Sequence, residues 1–295
     1  MTTRKFSLLL WLSIFVASCA IGQTTDKRDA ILWEITGNGL SSPSYLLGTC
    51  HVLPYAYTDS IVGYKDAYAS VGQVIIEHDI SAGAEIFATA DMQAMLLMPS
   101  DTTYTMLFTS EELTELNNVL QGYGMPQAEQ LALRPAFLEM SLAMVQEAMR
   151  LQGQAPMDMD VINHGRADGK KAAFLETLDD AKQVLKYLFA KDLNTQAQSL
   201  LRTLRQLRDG VNPAQEIIQN YKSQELEAIL QDENFTAQDR DVTIDRRNAK
   251  WLEQIPALMA DTPTLIAVGA GHLCGEKGLV QGLRARGYKL RPLSL

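Results

Sequence analysis

Two apolar segments, more than two hundred residues apart in the chain, close in the same way. Tyr45-Leu46-Leu47 runs into Gly48-Thr49-Cys50-His51, and Leu265-Ile266-Ala267-Val268 runs into Gly269-Ala270-Gly271-His272. Each is a short β-rich run, then a glycine, two small residues and a histidine. Runs of this length and composition fit strands covered on both faces of a sheet. A covered sheet must then be assembled from the two ends of the chain, with everything between them as an insertion.

The rest of the pattern agrees. Residues 31–36 and the run before Gly48 flank Gly37-Asn38-Gly39 and Ser41-Ser42-Pro43, which is turn chemistry, so the first two strands form a hairpin. Residues 59–71 read as a helix and 73–77 as a short buried strand. The middle is helical, with a helix opening at Ser110-Glu111-Glu112, where acids suit the dipole, and another over 135–151. Further helices are expected over 158–167, 179–208 (one or two), 213–230 and 237–255, with one more strand at 171–175. Methionines in the middle read as core filler at helical spacing. A strand at 264–268, a helix at 276–286 and a strand at 288–290 close the chain. The fold class is therefore α/β. A central, mainly β-sheet core is built from the N- and C-terminal segments, in one domain over 31–295, with a long, mostly helical insertion at about 84–255. No Pro-, Gly- or Ser-rich linker and no repeat of solenoid length divides it.

Charge narrows the partners. With 26 basic and 35 acidic side chains the net charge is −9. A nucleic-acid binder must neutralise phosphates, so nucleic acid is excluded as a partner class. Binding to an anionic membrane by charge alone is excluded too. A peptide or small-molecule substrate remains. The membrane enters by another route. Residues 1–18 read as a secretory signal, with Arg4 and Lys5 ahead of an apolar run at 6–17 that is too short to span a bilayer. Val16-Ala17-Ser18-Cys19 resembles a bacterial lipobox, which makes Cys19 the lipidated first residue of the mature chain and 19–30 a tether. The expected location is the cell envelope, with the protein held by an N-terminal lipid anchor.

Chemistry is expected at the strand ends, because ligands of open α/β sheets bind beyond the carboxyl ends of the strands. His51 and His272 sit there, and Glu77 ends a third strand. Two imidazoles and a carboxylate can hold a divalent metal ion and leave positions for water and substrate. The competing reading is a pair of structural histidines.

Several spaced motifs resemble the TraB/GumN family. They are Leu32-Trp33-Glu34-Ile35 with the segment ending in His51-Val52, then Ile75-Ile76-Glu77-His78-Asp79. Met159-Asp160 follows, with Ala167, Gly169-Lys170 and Leu175-Glu176-Thr177. Next come Arg247-Asn248 with Trp251, and last the segment from Val268 to Leu273, with Gly275-Glu276-Lys277-Gly278-Leu279 and Arg286-Gly287-Tyr288. Tiki proteins in the wider group are metal-dependent proteases with two such G-x-x-H motifs and a glutamate. The resemblance therefore implies His51, Glu77 and His272 as metal or catalytic residues. It also implies kinship with erythromycin-esterase-like and ChaN-like proteins, the latter including a haem-binding lipoprotein, so scaffold alone does not fix the chemistry.

Glu77 is then a third ligand or a general base. Arg247 either stabilises an oxyanion, holds Glu77, or clamps a helix to the sheet. Asn248 orients a ligand or caps a turn. His78 points away from Glu77 on the strand, Glu176 reads as a cap, and His164 as a surface residue. Cys50 and Cys274 flank the two histidines, and three readings stand: a disulfide, thiolate ligands, or buried free thiols. The function expected first is a metal-dependent, peptidase-like hydrolase of the envelope. The alternatives are a non-catalytic haem-, metal- or peptide-binding lipoprotein and a structural envelope protein.

Overall fold

The computed structural model describes residues 29–79, 83–231 and 235–293. The expected signal segment, Cys19 and most of the tether lie outside the described residues. The end of the tether is already part of the body: the Asp29 N–H donates to the Gln224 carbonyl at 2.8 Å, and Ala30 is buried.

Six strands form one sheet: β1 (Leu32–Gly37), β2 (Ser44–Thr49), β3 (Gln73–Ile76), β4 (Lys171–Phe174), β5 (Thr264–Gly269) and β6 (Tyr288–Pro292). Their order is β4-β3-β5-β2-β1-β6. The hairpin of β1 and β2 is antiparallel, and β6 adds antiparallel to β1. The strand from the far end of the chain, β5, enters between β2 and β3 and pairs parallel with both. Strand β4 joins β3 in parallel. Gly48 lies opposite Val268 and Thr49 opposite Gly269, so the two similar segments run side by side, one residue out of step.

The strands β2, β3 and β5 are buried almost throughout. That requires cover on both faces. The longer helices are α1 (Tyr64–Ser70), α2 (Ser110–Gly122), α3 (Pro135–Leu151), α4 (Met157–Ala167), α5 (Leu178–Phe189), α6 (Leu193–Arg208), α7 (Gln215–Ser223), α8 (Arg246–Ala260) and α9 (Leu279–Ala285). On β3, the Gln73 side chain donates to the Leu258 carbonyl of α8. The next residue, Val74, packs on Gly165 of α4 so closely that a Cβ there would lie 2.9 Å from it. Successive strand residues face opposite ways, so α8 and α4 cover opposite faces.

The insertion between β3 and β5 has its own core, where Leu113, Leu116 and Leu120 of α2 meet Leu138 and Leu142 of α3 and Leu200, Leu201 and Leu204 of α6. Met92 and Met157 are buried filler as expected, but Met144 and Met149 are 65% exposed. The expected helix over 179–208 is two, because Asp192 caps a new start by accepting from the Thr195 N–H. The long helix expected over 237–255 is also broken. Residues Asp241–Asp245 form a wide π-turn, and a regular helix resumes at Arg246. Such turns cluster at functional sites, and here Arg247 and Asn248 follow directly.

Candidate functional site

Four parallel strands, β2 to β5, deliver side chains to one edge of the sheet: His51, Glu77, Glu176 and His272. Strand pairing continues past β3 and β4, with the Glu176 N–H donating to the Glu77 carbonyl at 2.8 Å. The two glutamates are therefore neighbours, and a cation is needed between them.

Arg247 supplies it. Its Nη2 donates to Glu77 Oε2 at 2.5 Å and to Glu176 Oε2 at 2.9 Å, and its Nε to Glu176 Oε1 at 2.7 Å. Its Nη1 donates to the Thr243 carbonyl at 3.0 Å and to His272 Nε2 at 3.2 Å. All five N–H groups of the guanidinium are thus used. Trp251 walls the group, with its ring under the guanidinium at 4.8 Å and its Nε1 donating to Glu176 Oε1 at 3.1 Å. Burial alone would raise the pKa of Glu77. His272, Arg247, His51 and the Gly269 N–H, which donates to Oε1 at 2.7 Å, more than offset it and hold the carboxyl well below the usual range. Glu176, expected as a helix cap, instead anchors Arg247 and Trp251. Thr177 takes the cap, accepting from the Asp180 N–H.

His272 is 3% exposed. The Asn248 Nδ2 donates to the His272 carbonyl at 3.1 Å and the Lys277 carbonyl at 3.0 Å, which leaves Oδ1 as the acceptor facing the ring. The ring Nδ1 must therefore donate to Asn248 Oδ1, 2.7 Å away. Nε2 is left as a lone pair toward the site. Burial is the main reason this ring stays neutral, with its pKa pushed down to about 3, and Arg247 acts in the same direction. Asn248 thus orients the His272 ring.

His51 is held differently. Its Nδ1 lies 2.6 Å from Asp158 Oδ2, and its side chain is 64% exposed while that of Asp158 is 12%. The Asp158 carboxylate is the main cause of a pKa raised to about 9. The free nitrogen Nε2 turns toward the floor of the site. A Cβ added to Gly269 would sit 3.3 Å from Glu77 Oε1, 3.7 Å from His272 Cδ2 and 3.8 Å from His51 Nε2. Gly269 thus forms a cradle bounded by all three expected residues. The other motif glycine has a packing reason, since a Cβ on Gly48 would meet the Ala270 Cα at 3.1 Å.

The donor chemistry suits a divalent cation. Both rings have Nδ1 tied to an acceptor; Nε2 of His51 faces the cradle, and Nε2 of His272 faces Arg247 and Glu77. Glu77, Glu176 and Asp158 carry three negative charges against the one positive charge of Arg247, a surplus of two when both rings are neutral. His272 Nε2 and Glu77 Oε1 are 3.8 Å apart. As they stand, no three His, Cys, Asp or Glu side chains among the described residues close on one point at ligand distance. The set is open on the side of the exposed His51.

The remaining expectations sort plainly. His164 is exposed and stacks on Tyr55 at 3.9 Å. Cys50 and Cys274 are buried free thiols, the third of the readings above, and no disulfide joins them. Burial pushes Cys50 up to about 11 and Cys274 up to about 12, which keeps both protonated in the ion-free protein. The sequence reading names Asp160 as a motif position and misses Asp158. Helical periodicity carried the signal: Asp158 shares a face with Val161, Ile162 and Gly165, all buried, whereas Asp160 shares one with exposed Asn163 and His164. An acid on the apolar face is the anomaly worth pursuing.

No curated protein matches the chain. The sequence does match the TraB/PrgY/gumN family over residues 31–292, a span that includes every residue of this site. By that match the chain belongs to the TraB/PrgY/gumN family.

Proposed function

We propose that the protein is a metal-dependent, peptidase-like hydrolase of the bacterial cell envelope, tethered by a lipid on Cys19, with His51, Glu77 and His272 holding a divalent cation. The observation that carries this reading is the pair of anchored rings. Each has its Nδ1 bound to an acceptor; His51 turns its Nε2 to a glycine-floored cradle and His272 turns its Nε2 to Glu77, in a site with two surplus negative charges once both rings are neutral. A bound divalent ion would acidify water and polarise a carbonyl. The chain's own part is to prepare that site. Asn248 fixes the proton of His272 on Nδ1. Arg247 and the Gly269 N–H keep Glu77 ionised, which suits a ligand better than a general base, since a carboxylate so stabilised accepts protons weakly. Trp251 closes the floor against water, and the exposed His51 marks the side from which a peptide would enter. Among the described residues no helix is long and apolar enough to cross a membrane.

Metal analysis of the purified chain before and after chelation, with His272→Ala beside it, tests the reading. One divalent ion per chain, removed by chelator and absent from the variant, is expected, together with peptide cleavage that returns when metal is restored. No ion above background in metal-replete wild type sinks it. One contact favours the alternative of a non-catalytic haem-, metal- or peptide-binding lipoprotein: Arg247 Nη1 already occupies the lone pair of His272 Nε2. Ligand binding without turnover is the outcome that selects it. A mass spectrum of the membrane-extracted protein decides the lipid on Cys19.

A further inference from the structure

We propose that Asp158 is the positioning residue of His51: it fixes which ring nitrogen faces the site and thereby sets the affinity of the site for a divalent cation, the second half of this statement resting on the function proposed above. Three observations carry it. The contact is short and one-sided, with 2.6 Å between Asp158 Oδ2 and His51 Nδ1, and a buried acid gripping an exposed ring. The carboxylate spends nothing on other side chains. Its second oxygen, Oδ1, is buried and has no hydrogen-bond partner among the described residues, so His51 is the side chain on which the carboxylate acts.

The third observation is how the acid is held. Asp158 is the second residue of α4, where the helix dipole favours a carboxylate. The start of that helix is stitched to the loop that carries His51. The Met157 N–H donates to the Leu53 carbonyl at 2.9 Å, and Pro54 and Pro156 form an antiparallel bridge. Below them the Tyr221 hydroxyl donates to the Gly48 carbonyl at 2.7 Å and touches Met157 Sδ at 3.6 Å. Loop and helix are therefore tied together, which keeps the backbone of His51 beside the acid. A carboxylate on the distal nitrogen of a ligand histidine fixes its tautomer and raises its basicity.

The competing role is purely structural, a helix-start acid that happens to meet a surface ring. A double-mutant cycle on the full-length chain separates the two. Co2+ binding is followed by its visible absorption in wild type, Asp158→Asn, His51→Ala and the double variant, with Asp160→Asn as control. Asp160 lies in the same helix turn, and its side chain accepts from Asn163 at 3.3 Å. Asp158→Asn is expected to weaken Co2+ by about 10- to 100-fold. It should add nothing once His51 is gone, and Asp160→Asn should change nothing. Wild-type affinity in Asp158→Asn, or a full additional loss on top of His51→Ala, overturns the proposal. If the wild type takes up no Co2+, the functional reading falls, and the positioning claim is decided separately by the ring 15N spectrum of the labelled protein. A shifted His51 Nδ1 signal in Asp158→Asn, with the other three histidines unmoved, supports it. An unchanged spectrum overturns it.

Discussion

His51 and His272 end neighbouring parallel strands, each three residues past a glycine, yet the two halves of the site are built in opposite ways. Around His272 everything is closed. The ring is 3% exposed, packs on Trp251 at 4.4 Å, gives its proton to an amide and stays neutral. Around His51 the ring is open, meets a carboxylate, and holds a charge well above neutral pH in the ion-free protein. The sequences Gly48-Thr49-Cys50-His51 and Gly269-Ala270-Gly271-His272 do not contain this difference. It comes from what packs behind each: α8 with its amide behind one, the start of α4 with its acid behind the other. A repeated motif therefore specifies position on the sheet edge, and the insertion decides the electrostatics of each copy. One half is a fixed wall and the other an adjustable entrance.

The largest expected effects test the closed half. Arg247→Ala leaves Glu77 and Glu176 buried without a counter-charge, and breaking a buried pair in this way costs about 3–5 kcal/mol. Denaturant unfolding should show a loss of that size, smaller in Arg247→Lys, which keeps the charge but not the five-bond fork. A loss under about 1 kcal/mol would mean the guanidinium network is a surface feature, and the contrast between the halves would collapse. Next in size is Asn248→Ala. It strands the buried His272 Nδ1–H, at about 1–3 kcal/mol for a buried group left unmade. His51→Ala should cost clearly less than Asn248→Ala, because removing an exposed ring lets water reach Asp158. Equal losses would break the comparison.

These residues also show what the sequence makes legible. The strands, the sheet assembled from both chain ends and the convergence of His51, Glu77 and His272 follow from apolar runs ending in the same pattern, because strand burial is written in local composition. Arg247 and Asn248 are visible through the family resemblance, and holding Glu77 and orienting a ligand are among the roles open to them. That Arg247 forks onto Glu176, read from sequence as a cap, depends on β4 lying beside β3, and a pairing between distant segments leaves no local trace. Asp158 was hidden by Asp160 two residues on, and only the facing of α4 separates them. The π-turn at Asp241–Asp245 left no trace at all, since its residues suit an ordinary helix.

The cradle between the halves gives a smaller but sharper test. Gly269 has φ −50° and ψ 135°, a backbone any residue adopts. Gly269→Ala should therefore fold, with a stability change of about 1 kcal/mol or less, in the range of ordinary substitutions. Its methyl group, however, would stand 3.3 Å from Glu77 Oε1 and 3.8 Å from His51 Nε2, in the space an ion would need. Loss of divalent-ion binding with a near-normal unfolding curve is expected. Retained ion binding in Gly269→Ala would place the ion elsewhere and separate the two histidines functionally.

The smallest effect concerns charge alone and is read in chelator-treated protein. The pKa of His51 is raised in the folded state from an ordinary 6.5 to about 9, first by Asp158. A group whose folded pKa lies above its unfolded value binds more protons when folded, so it stabilises the fold at low pH. The contribution is therefore fully present below about 6.5 and fades as pH rises through about 9. Because the ring is largely exposed, solvent screens the pair and the contribution is modest. His272 shifts the other way, down to about 3, so its slope comes from the unfolded ring taking up a proton near and below 6.5 and is nearly gone by about 7.5. Stability curves of wild type and His51→Gln should thus converge as pH rises from about 6.5 to about 9, while those of wild type and His272→Gln should stay parallel above about 7.5. Convergence in the His272 pair there instead would show that the buried ring, not the exposed one, carries the charge, and would reverse the assignment of wall and entrance.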